Sequence, residues 1–119
     1  MNQQLLLLPY VFVGGGFGAS LRWLISLLTM SYGLKSWIAT VIVNIAGTTI
    51  YFLLAKSMSG ETIITSHMIR IGILGSLTTF STFSYELVTA LKSGNVQEAA
   101  LIFSLNVIAG VLIGIGILR

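Results

Sequence analysis

The sequence predicts an all-α membrane protein: a single domain over residues 1–119, built from four transmembrane helices with the third broken at mid-membrane. Three observations predict it. The chain is 55% hydrophobic and only 8% charged, with a mean hydropathy of +0.99, whereas soluble domains carry about a quarter charged residues. Its apolar residues fall into four runs, about 5–30, 37–55, 68–91 and 99–118, each near the roughly 20 residues that cross a bilayer. Inside the third run lies Gly75-Ser76-Leu77-Thr78-Thr79-Phe80-Ser81-Thr82-Phe83-Ser84, in which seven of ten residues are Gly, Ser or Thr. Hydroxyls compete for backbone hydrogen bonds and Gly weakens its own turn. Irregular backbone at that depth must be buried in protein or line a wet cavity.

The first span starts at Leu5 or at Pro9, which is tolerated in a first turn. Gly14 and Gly18 stand four apart, the small-residue spacing that lets helices approach closely. Arg22 lies well inside this run. It either snorkels to the surface or puts a fixed positive charge beside a water-filled pocket that attracts anions. In the second span Ser36 is placed to cap the helix and Trp37 sits at interfacial depth. Thr40, Asn44 and Thr48 recur every four residues on one face. Asn44, close to the midplane, serves as helix–helix glue or, with the rest of that stripe, lines a wet pathway.

The linker 56–67 is polar and holds the only His, at position 67, to which no role is assigned. In the third span, a break over Gly75 to Thr78 with helix resuming at Thr79 sets Phe80 and Phe83 on one face. Thr79, Thr82 and Glu86 then fall on an adjacent one. Asn95 and Glu98 form a capping box that starts the fourth span. Asn106 is the polar residue near its middle, and Gly110 and Gly114 repeat the small-residue spacing.

Four spans put both termini on one side, with Lys56, Arg70 and Arg119. Lys35, Lys92 and, if counted outward, Arg22 lie on the other, a count of three against three or three against two. Lys/Arg bias sets orientation, and here there is almost none. Such a chain is expected to insert both ways and pair antiparallel, supplying the inverted symmetry that larger transporters build from internal repeats.

The chemistry points to ions. Aromatic rings have positive edges that can touch an anion without trapping it, although a pair at helical spacing also serves plain packing. Hydroxyls and an amide donate to an anion as it sheds water. Carbonyls freed by a break suit a hard cation. Glu86 opposes a simple anion attractor; it is protonated, pairs with Arg22, or accepts from Thr82. The chain has no Cys, which excludes disulfides and thiol chemistry. Its net charge of +3 forms no basic cluster for nucleic acid. No nucleophile–base pair or metal-ligand cluster suggests an enzyme. No Lys or Arg precedes the first run, so no signal peptide is expected.

Residues 14–23 (Gly-Gly-Gly-Phe-Gly-Ala-Ser-Leu-Arg-Trp), 39–48 (Ala-Thr-Val-Ile-Val-Asn-Ile-Ala-Gly-Thr) and 75–86 (Gly-Ser-Leu-Thr-Thr-Phe-Ser-Thr-Phe-Ser-Tyr-Glu) resemble, in order and spacing, three signatures of the Fluc (CrcB) fluoride channels. The chain departs at Ala39 and Ser76, where that family commonly has Gly, and at Thr48, where it commonly has Ser. The resemblance implies a fluoride-specific channel that passively exports fluoride across the cytoplasmic membrane of a prokaryote and lowers fluoride toxicity. It implies an antiparallel, dual-topology homodimer, or a heterodimer with a paralogue, with two pores and a central structural sodium ion. By motif position the sodium carbonyls are those of Gly75 and Thr78, and the vestibule arginine is Arg22. Phe80 and Phe83 are the pore phenylalanines and Asn44 the pore asparagine. Ser81, Thr82 and Thr40 belong to the polar pathway, joined by Thr79 and by Asn106 of the less similar fourth span. Glu86 is a coupling or structural acid. The competing expectation is a small multidrug exporter, which needs a membrane carboxylate in its first span; here that span carries Arg22 and no acid.

Overall fold

The computed structural model describes residues 3–57 and 60–119. The linker expected over 56–67 therefore includes two positions, 58 and 59, that lie outside the described residues. Among the described residues every regular element is helical, and four helices are long and apolar enough to cross a membrane: Gln3–Ser31, Ser36–Ser57, Ile63–Lys92 and Val96–Leu118. In their most apolar 18-residue windows, none buries more than 22% within the chain. The outward faces are therefore apolar, as lipid or a partner requires.

The first helix opens with a 3₁₀ turn, Gln3–Leu7, and becomes α-helical over Leu8–Ser31, with Pro9 in its first turn. The second begins at Ser36 itself. Ser36 is thus its first helical residue and not the cap preceding it. At the fourth helix the capping box forms: Asn95 Oδ1 accepts from the Glu98 amide at 3.1 Å, and Asn95 Nδ2 donates to Glu98 Oε2 at 3.0 Å. Lys35 Nζ pairs with the same carboxylate and ties the loop before the second helix to the start of the fourth.

Glycines set how closely the helices approach. A Cβ on Gly14 or Gly18 would collide with the backbone carbonyl of Met68 or Ile73, and one on Gly72 would lie 2.9 Å from Val11 O. The first helix and the leading half of the third span (63–77) therefore meet backbone to backbone. Part of that half, His67–Leu74, is π-helical. On the fourth helix, a Cβ on Gly114 would lie 2.5 Å from the Phe52 ring.

The third span changes course at two residues. Helical dihedrals stop at Leu77 and resume at Phe80, with Thr78 at φ −77°, ψ 153° and Thr79 at φ −148°, ψ 118°. The sequence put the interruption over Gly75 to Thr78 and the restart at Thr79. Gly75 to Leu77 instead remain helical, and Thr79 is the N-cap of Phe80–Lys92, its hydroxyl accepting from the Thr82 amide at 3.2 Å. A threonine can cap because its hydroxyl replaces the missing helical acceptor.

Two apolar clusters flank this point. Val43, Leu74 and Leu77 pack with Leu21 and Ile25 on one side, and Phe83, Ala90, Ala99 and Ile102 pack with Leu87 and Trp37 on the other. The polar residues named from sequence lie between and beside them.

Candidate ion pathway

Extended dihedrals at Thr78 and Thr79 release backbone groups that a helix would have paired. A buried amide left without a partner costs about 1–3 kcal/mol, so something must replace the lost bonds. Asn44 does so for Thr79. Its Oδ1 accepts from the Thr79 amide at 2.8 Å, and its Nδ2 donates to the Thr79 carbonyl at 3.1 Å. The other Nδ2 hydrogen goes to Asn106 Oδ1 at 2.7 Å. Both donors of Asn44 are thereby engaged by protein, and the residue staples the second helix to the interruption and to the fourth helix. Asn106 Nδ2 donates one hydrogen to Ile102 O at 2.8 Å; an amide nitrogen carries two, and its second is the uncommitted amide donor here.

Asn44, Thr79 and Asn106 line one cavity of about 240 Å³, together with Thr48, Thr78, Phe80, Phe83 and Val107. The two phenylalanine rings lie 5.6 Å apart, tilted by 59°. They are unequal: Phe83 is 5% exposed within the chain and Phe80 78%. Thr48, Asn106 and Val107 also belong to a wider, apolar groove of about 670 Å³ that follows the second and fourth helices to Leu118 and Arg119.

The remaining residues named from sequence sit around this cavity. Thr79 Oγ1 donates to Thr82 Oγ1 at 3.0 Å and lies 3.3 Å from Ser81 Oγ. Ser81 and Thr82 thus support Thr79 from behind and do not themselves line the cavity. Thr40 Oγ1 donates to Glu86 Oε1 at 3.0 Å, both residues being buried. Of the partners considered for Glu86, neither Arg22 nor Thr82 is the one bonded; Thr40 is. Arg22 instead directs Nε to the Ser76 carbonyl at 3.0 Å. That carbonyl has lost its place in the helical ladder, and a guanidinium is a strong donor to replace it.

Two further carbonyls are released. The amide that would bond Gly75 O in a helix is that of Thr79, which is taken by Asn44; the amide that would bond Thr78 O is that of Thr82, which is taken by the Thr79 hydroxyl. Gly75 and Thr78 line a second cavity of about 220 Å³ with Gly47, Tyr51 and Arg70. Arg70 stands 5.8 Å from the centroid of the Tyr51 ring and reaches Leu54 O at 3.5 Å. Neither Arg70 nor Tyr51 stood out as a site residue in the sequence. An Arg near the start of an apolar run reads equally well as an interfacial anchor.

The family model described as "CrcB-like protein, Camphor Resistance (CrcB)" matches residues 9–117. A protein of Clostridium perfringens named "Fluoride-specific ion channel FluC" is 41% identical over 98 residues, covering 79% of this chain and 77% of its own. A protein of the same name from Idiomarina loihiensis is 39% identical over 111 residues, covering 91% of this chain and 86% of its own. Another from Vibrio campbellii is 38% identical over 112 residues, with coverage of 91% and 88%. With a family match across nearly its whole length and four helices fit to span a membrane, the chain belongs to the CrcB-like family of multi-pass bacterial membrane proteins.

Proposed function

We propose that this protein is a fluoride-specific ion channel, not an enzyme, that exports fluoride passively across the cytoplasmic membrane. The observation that carries the reading is the meeting of Asn44, Thr79, Asn106, Phe80 and Phe83 around one cavity, in a chain whose relatives bear the fluoride-channel name. Fluoride holds its hydration shell tightly, so its path must replace water with donors while staying too narrow for chloride. The free N–H of Asn106, the hydroxyl of Thr48 and the ring edges of Phe80 and Phe83 are such groups, whereas the Thr78 hydroxyl is spent on the Leu74 carbonyl at 2.9 Å. Asn44 acts by fixing the backbone at Thr79 and the orientation of Asn106. Fluoride enters cells as neutral HF and is trapped as the anion. A negative-inside potential drives it outward at about 2.3 kcal/mol per 100 mV, so no proton or nucleotide coupling is needed.

The active form is an antiparallel, dual-topology homodimer with two pores. What supports this is the near-absence of Lys/Arg bias together with the surface on which Phe80 and Gly75 lie. Lys56 bonds the carbonyls of Ile117 and Arg119 at one end, and Lys35 pairs with Glu98 at the other. Phe80, open to the outside of a lone subunit, would complete its pore on meeting a second copy. At the two-fold axis the released carbonyls of Gly75 and Thr78 from both subunits form a hard-oxygen set suited to sodium, and these residues would hold it. Bound there, the ion supplies positive charge that joins the subunits and offsets the carbonyl dipoles.

The test is a fluoride-electrode assay on proteoliposomes of the full chain, with a potassium gradient and valinomycin setting the potential. Rapid fluoride efflux with no matching chloride efflux is the expected result. Chloride movement at a comparable rate, or efflux requiring a proton gradient, would overturn the reading.

A further inference from the structure

The cavity of about 220 Å³ between the second and third helices has two distinct ends, fixed by their antiparallel packing. At the inner end Gly47 faces Thr78, since a Cβ on Gly47 would collide with Thr78 Cγ2. One turn further along the second helix, the Arg70 guanidinium stands 5.8 Å from the centroid of the Tyr51 ring, and its Nη2 reaches Leu54 O at 3.5 Å. Thr48 and Thr78 line this cavity and the Asn44 cavity alike, so the two spaces meet at that pair. The pair differs in what its hydroxyls do. Thr78 Oγ1 donates to Leu74 O at 2.9 Å. Thr48 is, among the described residues, the one threonine whose hydroxyl enters no hydrogen bond. Its neighbour Thr49 donates back to Ile45 O at 2.7 Å, the local bond a helical threonine commonly makes. Thr48 therefore keeps its donor for whatever occupies the two cavities.

We propose that this cavity is an anion-collecting antechamber of the pore: the Arg70 charge draws fluoride into it, and the Thr48 hydroxyl passes the ion to the Asn44 cavity. The inference rests on the fluoride-channel reading above. It assigns the attracting charge to a residue other than Arg22, whose Nε is engaged by the Ser76 carbonyl. A guanidinium is always charged, and hydrogen bonds to neutral carbonyls leave that charge in place. In a cleft with low-dielectric walls, a fixed charge raises the local concentration of the opposite ion and its rate of entry. Phe52, Leu74 and the Tyr51 ring supply such walls. Gly75 and Thr78 line the cavity too, and bare carbonyls repel an anion. The sodium ion proposed to bind them reverses that sign.

The experiment measures initial fluoride efflux from proteoliposomes of the full chain against fluoride concentration, at low salt and at about 1 M ionic strength, where the Debye length is about 3 Å. Arg70→Gln should raise the half-saturating fluoride concentration about tenfold at low salt, the lower end of electrostatic steering. Its maximal rate and melting temperature should stay near the parent's, and most of the parent's salt dependence should vanish. Arg70→Lys keeps the charge and should recover both affinity and salt dependence. Thr48→Val keeps the shape and removes the hydroxyl; it should lower the maximal rate about tenfold, the effect of one lost hydrogen bond. No partner is orphaned, so its melting temperature should not fall. Thr48→Ser restores the hydroxyl and should recover the lost flux. Thr49→Val is the control, because Thr49 lines neither cavity. A parent that passes no fluoride removes the channel reading and the antechamber together. With a conducting parent, Arg70→Gln at the parental half-saturation overturns the antechamber alone, as does Arg70→Gln losing maximal rate and melting temperature together. Thr48→Val at the parental rate overturns it equally. Should Arg70→Gln fail to fold, Thr48→Val decides the matter.

Discussion

The two halves of the third span are held by opposite means. The leading half, 63–77, lies against the first helix through Gly14, Gly18 and Gly72, where backbone meets backbone and no side chain intervenes. The trailing half, Phe80–Lys92, is held by side chains: Asn44 on the Thr79 backbone, Thr40 on Glu86, and Phe83 in an apolar cluster with Ala99 and Ile102. Small residues give a contact that cannot be adjusted without collision. Polar staples give one that can be taken apart bond by bond. The difference places rigidity on the side of Gly75 and Ser76, and exchangeable hydrogen-bonding groups on the side of Thr79 and Phe83.

This contrast can be broken most severely on the rigid side. Gly18→Leu should cost about 3 kcal/mol or more, since overpacking against a backbone has no flexible side chain to yield; protein recovered as a defined species in detergent should fall sharply. Gly16→Leu is the control. Nothing lies within 4 Å of a Cβ there, and its melting temperature should stay within a few degrees of the parent.

On the adjustable side, Asn44→Ala removes both bonds to the Thr79 backbone and the contact to Asn106. A loss of about 2–4 kcal/mol is expected from the orphaned amide and carbonyl together, read as a lower melting temperature and as loss of fluoride efflux. Asn44→Asp retains an acceptor for the Thr79 amide but loses both donors and opposes the anion. It should melt between the parent and Asn44→Ala while conducting poorly.

A smaller effect separates the ends of the fourth helix from its middle. Asn95→Ala removes the cap on Val96 to Glu98 and should cost about 1 kcal/mol, with fluoride efflux near the parental rate. A large loss of efflux there would mean that the loop end controls conduction more than the cap does.

Much of this was legible in the sequence, and the parts that were not have a common cause. Four long apolar runs specify four helices, because backbone groups in lipid must pair within their own segment. The Asn95–Glu98 box forms because its partners are three residues apart. The resemblance carried by residues 14–23, 39–48 and 75–86 is borne out by the family match over 9–117. Long-range partners were not legible. Asn44 reads as a donor for an anion, yet it spends both hydrogens on Thr79 and Asn106, 35 and 62 residues away. Arg22 reads as a vestibule charge, yet its Nε completes the Ser76 carbonyl, 54 residues away. In both cases the need comes from a backbone interruption elsewhere, and residue type alone does not say which need a polar side chain meets.

The central claim is that the cavity shared by Asn44, Thr79, Asn106, Phe80 and Phe83 carries fluoride, with ring edges as part of its wall. Fluoride efflux from proteoliposomes of Phe80→Ile and Phe83→Ile tests it most directly. Isoleucine keeps much of the bulk and removes the ring edge. Phe83 is buried in the chain while Phe80 faces outward, so only Phe83→Ile should lower the melting temperature of the subunit, by the equivalent of about 1 kcal/mol. Both variants should nevertheless remain folded and lose fluoride efflux by at least about tenfold, a change of about 1.4 kcal/mol in barrier height. Folded Phe80→Ile and Phe83→Ile proteins that each pass fluoride at the parental rate would contradict the claim and move the pore elsewhere in the molecule.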